Sequence, residues 1–366
     1  MVASFVRSAC RYLAMAGLFL ACLEICARLD DHWRWGAPLL GDYSNEQLKV
    51  EDHLGLRCRP HGQFEKWRLN AFGFRGAEVS EQKPKDVTRV LVVGASETFG
   101  LYESAGREYP AQLQQNLEER APGRFQILNA ACVGMSPPRI EHHIRTWLWK
   151  LAPDVVVFYP SPQFYLDEVP PRLSVATAAP KPPRFVPRLG RKLKIALKAA
   201  LPARLQTWLR EAKIRRETAR HGEDWLWSSV PEDRLSLFRE HVSALVASVQ
   251  AVGARPMLVT HANRFSERLS ARDRADLVAL RVFYPRATDA VMLDFDHAAN
   301  QVLREVAKAR HLSLVDAELA LGKNPRYYAD FSHFTDAGAS AMAELLADAL
   351  QNPAPQTAKS IHSASP

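Results

Sequence analysis

Two short stretches hold residues whose types and spacing suit acyl transfer. Ser96 stands in Gly94-Ala-Ser-Glu-Thr-Phe-Gly100, and Asp330 and His333 stand in Asp330-Phe-Ser-His-Phe-Thr-Asp-Ala-Gly338. An Asp at i and a His at i+3 can share one side of a turn, so the carboxylate can orient the ring. The ring can then take the proton of a serine hydroxyl and turn it into a nucleophile. The reaction also needs N–H donors for the oxyanion that develops on the carbonyl. The Ser96 amide at a strand-to-helix junction is one. Gly134, in Asn129-Ala-Ala-Cys-Val-Gly134, is a second, because glycine permits unusual backbone angles and close approach. Gln163, in Tyr159-Pro-Ser-Pro-Gln163, offers a side-chain amide. Taken singly, each of these residues also fits an ordinary turn or loop.

What gives the set meaning is where its members fall. Branched apolar runs at 87–93, 125–128, 154–159, 256–260 and 312–315 read as buried parallel strands. Between them, helices are expected over about 110–121, 138–151, 229–252 and 291–309, and Thr335 is placed to cap a last one. Strands alternating with helices specify an α/β fold, a parallel sheet covered on both faces. Functional groups in such sheets gather at the carboxyl ends of the strands. Ser96, Gly134, Gln163 and the Asp330/His333 pair each follow one of these strands.

On these residues the chain resembles the SGNH hydrolases, also called GDSL lipases or esterases. Gly94-Ala-Ser96 is similar to their first block, Gly134 to the glycine of their second, and Asp330, His333, Thr335 and Gly338 to their last. The resemblance implies a flavodoxin-like, three-layer α/β/α sandwich on a five-stranded parallel sheet. It implies Ser96 as nucleophile, His333 as base, Asp330 as its orienter, and an oxyanion hole from Ser96, Gly134 and a third-block side chain. It implies no cofactor and no metal. Two positions depart from the pattern: Ala95 replaces the first-block Asp, and Gln163 stands where the third block has Asn. The segment Asn70-Ala-Phe-Gly-Phe-Arg-Gly76 is similar to one that precedes the catalytic strand in membrane-anchored bacterial members.

The N-terminus reads as an address. Arg7 and Arg11 precede an apolar run over 12–27 that Arg28 closes, with Glu24 near its end. The run lacks the small residues a signal peptidase needs, so residues 1–28 are expected to be an uncleaved anchor. Residues 29–85 form a polar neck and 86–350 the hydrolase domain, with a disordered tail at 351–366. Residues 168–228 interrupt the domain with prolines and then two basic amphipathic helices, whose stripe of Leu193, Leu197, Leu201, Leu205, Trp208 and Leu209 suits a membrane surface, a lid, or packing on the domain.

The net charge of +8 is concentrated in that insertion, and beside an anchor it points to a membrane and away from nucleic acid. Of five cysteines, Cys58 and Cys132 lie beyond the anchor; two free buried thiols are expected there, a disulfide being the alternative. His142 and His143 are expected on a helix surface, and His261 and Asn263 at the active edge. The expectation is a bacterial inner-membrane ester hydrolase with its domain on the periplasmic side, acting on short acyl groups such as acetyl on a polysaccharide. Acyl transfer to a sugar hydroxyl would use the same triad, and a non-catalytic envelope protein on this scaffold is the remaining alternative.

Overall fold

The computed structural model describes residues 2–173 and 187–352. The tail expected to be disordered, beyond 352, and the prolines at 180–183 of the insertion lie outside the described residues.

The chain begins with helix α1 (Val2–Trp35), followed by a neck of two small hairpins: β1 (Lys49–Asp52) with β2 (Gly55–Cys58), and β3 (Gln63–Phe64) with β4 (Trp67–Arg68). The alternating region follows: β5 (Thr88–Gly94), the single turn α2 (Ser96–Phe99), α3 (Tyr109–Arg120), β6 (Phe125–Asn129), α4 (Pro137–Thr146) and β7 (Val155–Tyr159). Next come the insertion helices α5 (Arg188–Ala200) and α6 (Ala203–His221), then α7 (Glu232–Ala251), β8 (Arg255–Val259), α8 (Ala271–Arg281) and α9 (Asp289–Arg310). The chain closes with β9 (Ser313–Val315), α10 (Ala317–Leu321) and α11 (Asp336–Gln351).

β5 to β9 form one five-stranded sheet in the order β6-β5-β7-β8-β9, every pair parallel. Counted along the alternating region this is 2-1-3-4-5, which places the topological switch between β5 and β7. The alternation inside the strands explains why both faces are covered. Leu91 and Val93 face a core shared with α4, α7 and α9, while Val90 and Val92 face one shared with α3 and α11. All four are essentially inaccessible to water. The α/β/α sandwich expected from the sequence is therefore present. α8 was not anticipated; its run of Arg and Asp hides a short apolar face, and a capping box of Ser270 and Asp273 starts it.

α1 extends past Arg28 to Trp35. Its residues Phe5 to Trp35 are long and apolar enough to cross a membrane. Its last turns behave differently: Ala27, Arg28 and Asp31 are buried against the rest of the protein. The apolar count ends at 27, but helix propagation needs only continuing hydrogen bonds, so the polar residues that follow stay helical.

The neck is a built part of the protein rather than a spacer. Tyr43, Leu48, Phe64, Leu69 and Phe74 join the core on the α4 side of the sheet. Cys58 and Cys132 are joined by a disulfide with Cα atoms 5.6 Å apart, which corrects the expectation of free thiols. Sequence arithmetic with one pair could not find it, because the approach depends on the neck folding back onto the loop after β6. His143 is likewise buried rather than on the surface. One ring nitrogen meets the Leu56 carbonyl at 3.0 Å, and the Trp147 indole N–H donates to the other at 3.0 Å. Burial pushes that ring down to about 4, which keeps it neutral in this neck contact.

Candidate active site

β5 delivers the candidate nucleophile. A Cβ on Gly94 would stand 2.7 Å from the Tyr159 carbonyl of the neighbouring strand, so only glycine lets the strand turn there. Ser96 then opens α2, and Gly100 closes it in the left-handed region at φ +83°. As the first residue of a helix, Ser96 points its N–H away from the turn with no intrahelical acceptor. Two neighbours hold this turn from outside. The Arg75 guanidinium of the neck donates to the Phe99 carbonyl at 2.6 Å, and the Asn129 side chain donates to the Thr98 carbonyl at 3.1 Å.

The last block meets it across the switch point. His333 Nε2 lies 2.9 Å from Ser96 Oγ, and His333 Nδ1 lies 2.8 Å from Asp330 Oδ2. A carboxylate accepts only, so Nδ1 carries the proton and Nε2 presents its lone pair to the serine hydroxyl. Asp330 is fixed by its own loop: its Oδ1 accepts from the Ser332 and His333 amides at 3.1 and 2.9 Å. Thr335 caps α11 through the Gly338 amide, as its sequence predicts, and Gly338 packs so close to Tyr327 that a side chain has no room. Burial works against a charged His333, but the hydrogen bond to Asp330 and the charges of Glu97, Asp330 and Glu103 outweigh it and raise its pKa above the usual value.

Beneath the triad lies a charge cluster that the sequence reading missed. Glu97, the residue after the nucleophile, is almost completely buried. Its carboxylate accepts from Ser161 Oγ at 2.8 Å and Ser332 Oγ at 3.2 Å, and one oxygen lies 3.2 Å from Ser96 Oγ. His261 stands 3.8 Å from Glu97 and 2.7 Å from Asp296, with no exposure to water. Burial alone would discharge both groups. The His261 contact and the His333 charge hold Glu97 low, and the two carboxylates hold His261 high, so each group is favoured in its charged form. Sequence offered one hint: His261 follows β8 at the active edge. Nothing marked Glu97, whose partners come from three other strand ends.

The expected oxyanion donors divide. Gly134 occupies the third position of a turn in which the Met135 amide donates to the Cys132 carbonyl, and its φ of +82° is one that glycine adopts without strain. Its amide has no acceptor among the described residues. Gln163 is buried with its amide donating to Asp296 Oδ1 at 3.1 Å. The extra methylene relative to Asn carries that amide into the Asp296 cluster, where Asn263 also donates at 2.6 Å. The structure therefore brings Ser96, His333 and Asp330 together, leaves the Gly134 amide without an acceptor among the described residues, and turns Gln163 to the ion cluster.

No protein-family profile matches the chain, and no curated protein matches it in sequence. Solved structures share its course at low identity. The lipase/acylhydrolase from Enterococcus faecalis is 13% identical over 74% of this chain and 100% of its own, with a TM-score of 0.43. A GDSL-like lipase from Bacteroides thetaiotaomicron is 11% identical over 75% of this chain and 92% of its own, at a TM-score of 0.39. An acetyl xylan esterase is 13% identical over 72% and 99%, at 0.41. At these scores the likenesses carry no weight for the chemistry, which rests on the distances above.

Proposed function

We propose that the protein is a serine hydrolase of the SGNH type that cleaves carboxylic esters from a membrane-anchored position. The observation that carries this is the continuous chain Ser96 Oγ to His333 Nε2 at 2.9 Å and His333 Nδ1 to Asp330 Oδ2 at 2.8 Å. In that geometry His333 takes the hydroxyl proton as Ser96 Oγ bonds to the ester carbonyl carbon. The Ser96 and Gly134 amides stand as donors for the oxyanion. The protonated His333 then gives its proton to the departing alcohol, leaving an acyl-serine. Water, deprotonated by His333, attacks that acyl group, and the acid leaves with Ser96 restored.

α1 supports attachment to a bacterial inner membrane through a single span. The Cys58–Cys132 disulfide favours the periplasmic side for the domain, because such bonds persist in oxidising compartments.

A fluorophosphonate probe tests the reading. The full-length protein in neutral detergent is expected to label, Ser96→Ala to lose the label, and p-nitrophenyl acetate turnover to follow the same pattern. Labelling that persists in Ser96→Ala, or a wild-type chain that takes no label, overturns the assignment.

A further inference from the structure

A cavity of about 340 Å³ lies against the loop that follows the candidate nucleophile, walled mostly by residues of the neck. Its floor is Phe99, on the turn that Ser96 opens, and Val133, which adjoins Gly134. Phe64 and Trp67 of the neck form its side, and Trp67 is pinned to the nucleophile loop by donating from its indole N–H to the Gly100 carbonyl at 3.2 Å. Ile195 of α5 roofs it. The volume lies in the range of small-ligand sites, and the lining is mostly apolar.

Two cations border this apolar space, and they differ. Arg191 is neutralised by Asp31 and Glu65. The Lys49 ammonium is half-buried and has neither an ion pair nor a hydrogen bond among the described residues. It stands 3.8 Å from where a Cβ on Gly134 would be, which places it where the cavity meets the candidate oxyanion donors. Its nearest charges are an attracting Glu46 and a repelling Arg139, neither in an ion pair with it, which leaves it open to an anion.

The roof is tied to the apolar helix. Glu24 of α1 accepts from the Arg188 and Leu189 amides at 3.0 and 2.8 Å, so it caps α5 from another helix. Lys192 and Arg191 pair with Asp30 and Asp31 at the end of α1. α5 thus starts beside the polar end of the apolar helix, and it exposes Leu193 (63%), Ile195 (58%) and Leu197 (61%). Ile195, on the other side of α5 from Leu193 and Leu197, lines the cavity.

Building on the hydrolase reading, we propose that this cavity takes the acyl chain of an anionic membrane lipid ester, with Lys49 holding the anionic group beside the ester and α5 lying on the membrane surface to admit the chain. The substrate class is then a long-chain acyl ester drawn from the bilayer, in place of the acetylated glycan that resemblance suggested.

Full-length protein reconstituted in vesicles tests this. Release of fatty acid from phosphatidylglycerol is compared with release from phosphatidylcholine, and both with p-nitrophenyl acetate turnover. Phosphatidylglycerol is expected to be cleaved about tenfold faster than phosphatidylcholine, as a charge-assisted contact allows. Lys49→Met is expected to erase that preference. Ile195→Asp, at an exposed position that folding tolerates, is expected to lower the ratio of lipid to acetate turnover about tenfold. Acetate turnover dependent on Ser96 with no lipid release, or lipid release indifferent to both substitutions, overturns the proposal. If acetate itself is not turned over, the hydrolase reading fails, and the cavity is read separately. Quenching of tryptophan emission by brominated dodecanoate is then compared with Trp67→Phe, and the absence of a Trp67-dependent share of the quenching overturns the chain site.

Discussion

The sheet and the neck are held together by opposite means. Each sheet strand is a run of branched apolar residues buried on both faces, and any one of its contacts is replaceable by another of the same kind. The neck has strands of two to four residues and cannot hold itself. Besides the apolar residues it lends to the core, single groups that reach across the chain hold it: Arg75 to Glu108 and the α2 turn, His143 to Leu56, Cys58 to Cys132. The sheet's stability is distributed and the neck's is concentrated. The triad sits on the first, while the walls beside it come from the second.

Substitutions separate the two. The largest effect is expected on the sheet-borne triad: Asp330→Asn should lower kcat/KM by about 10⁴, because the ring then loses its oriented tautomer, while the melting temperature stays close to the parent's. A large loss of stability instead would show that Asp330 holds the loop rather than the ring. Next comes Arg75→Met in the neck. Breaking an ion pair whose two side chains are 4% and 2% exposed should cost about 3–5 kcal/mol in denaturant unfolding, since Glu108 is left as a buried charge. A loss below 1 kcal/mol would contradict the concentrated picture. The double change Cys58→Ala with Cys132→Ala, which opens a loop of 74 residues, should cost about 2–4 kcal/mol and loosen the wall of the cavity before the sheet. Hydrogen exchange read by mass spectrometry would show whether the neck opens first; simultaneous opening of sheet and neck would refute the division.

The smallest effect concerns pH. His333 must be neutral to act as base, and its pKa stands above the usual value, so kcat/KM should rise as pH climbs through that raised value. Glu97 is one of the charges that raise it. Glu97→Gln removes that charge, so the rising limb of the profile should move to lower pH. A limb that stays in place would mean that Glu97 does not sense the ring.

Pattern made the sheet and most of its helices legible, and it singled out Ser96, His333 and Asp330, the residues of the proposed triad. Strand ends and Asp-x-x-His are local signals: the residues that define them are neighbours in sequence. Glu97 and His261 belong to no local pattern, because each is defined by partners far along the chain, Ser161 after β7 and Asp296 on α9. The sequence placed Gln163 correctly after β7, but its orientation follows from one methylene and from Asp296, 133 positions away. The α1 boundary at 28 was read from apolar count, and the helix continues to Trp35 because Asp31 is buried in ion pairs with Arg191 and Lys192.

Glu24 has a consequence for how the molecule is made. It is a carboxylate kept near the end of an apolar run, and it caps a helix 164 residues further along the chain. Until the first helix has formed and presents that carboxylate, α5 has no cap and no seat. The first helix is therefore part of the site's roof as well as the chain's start: a protein shortened by that helix would keep its sheet and lose the cap that seats α5.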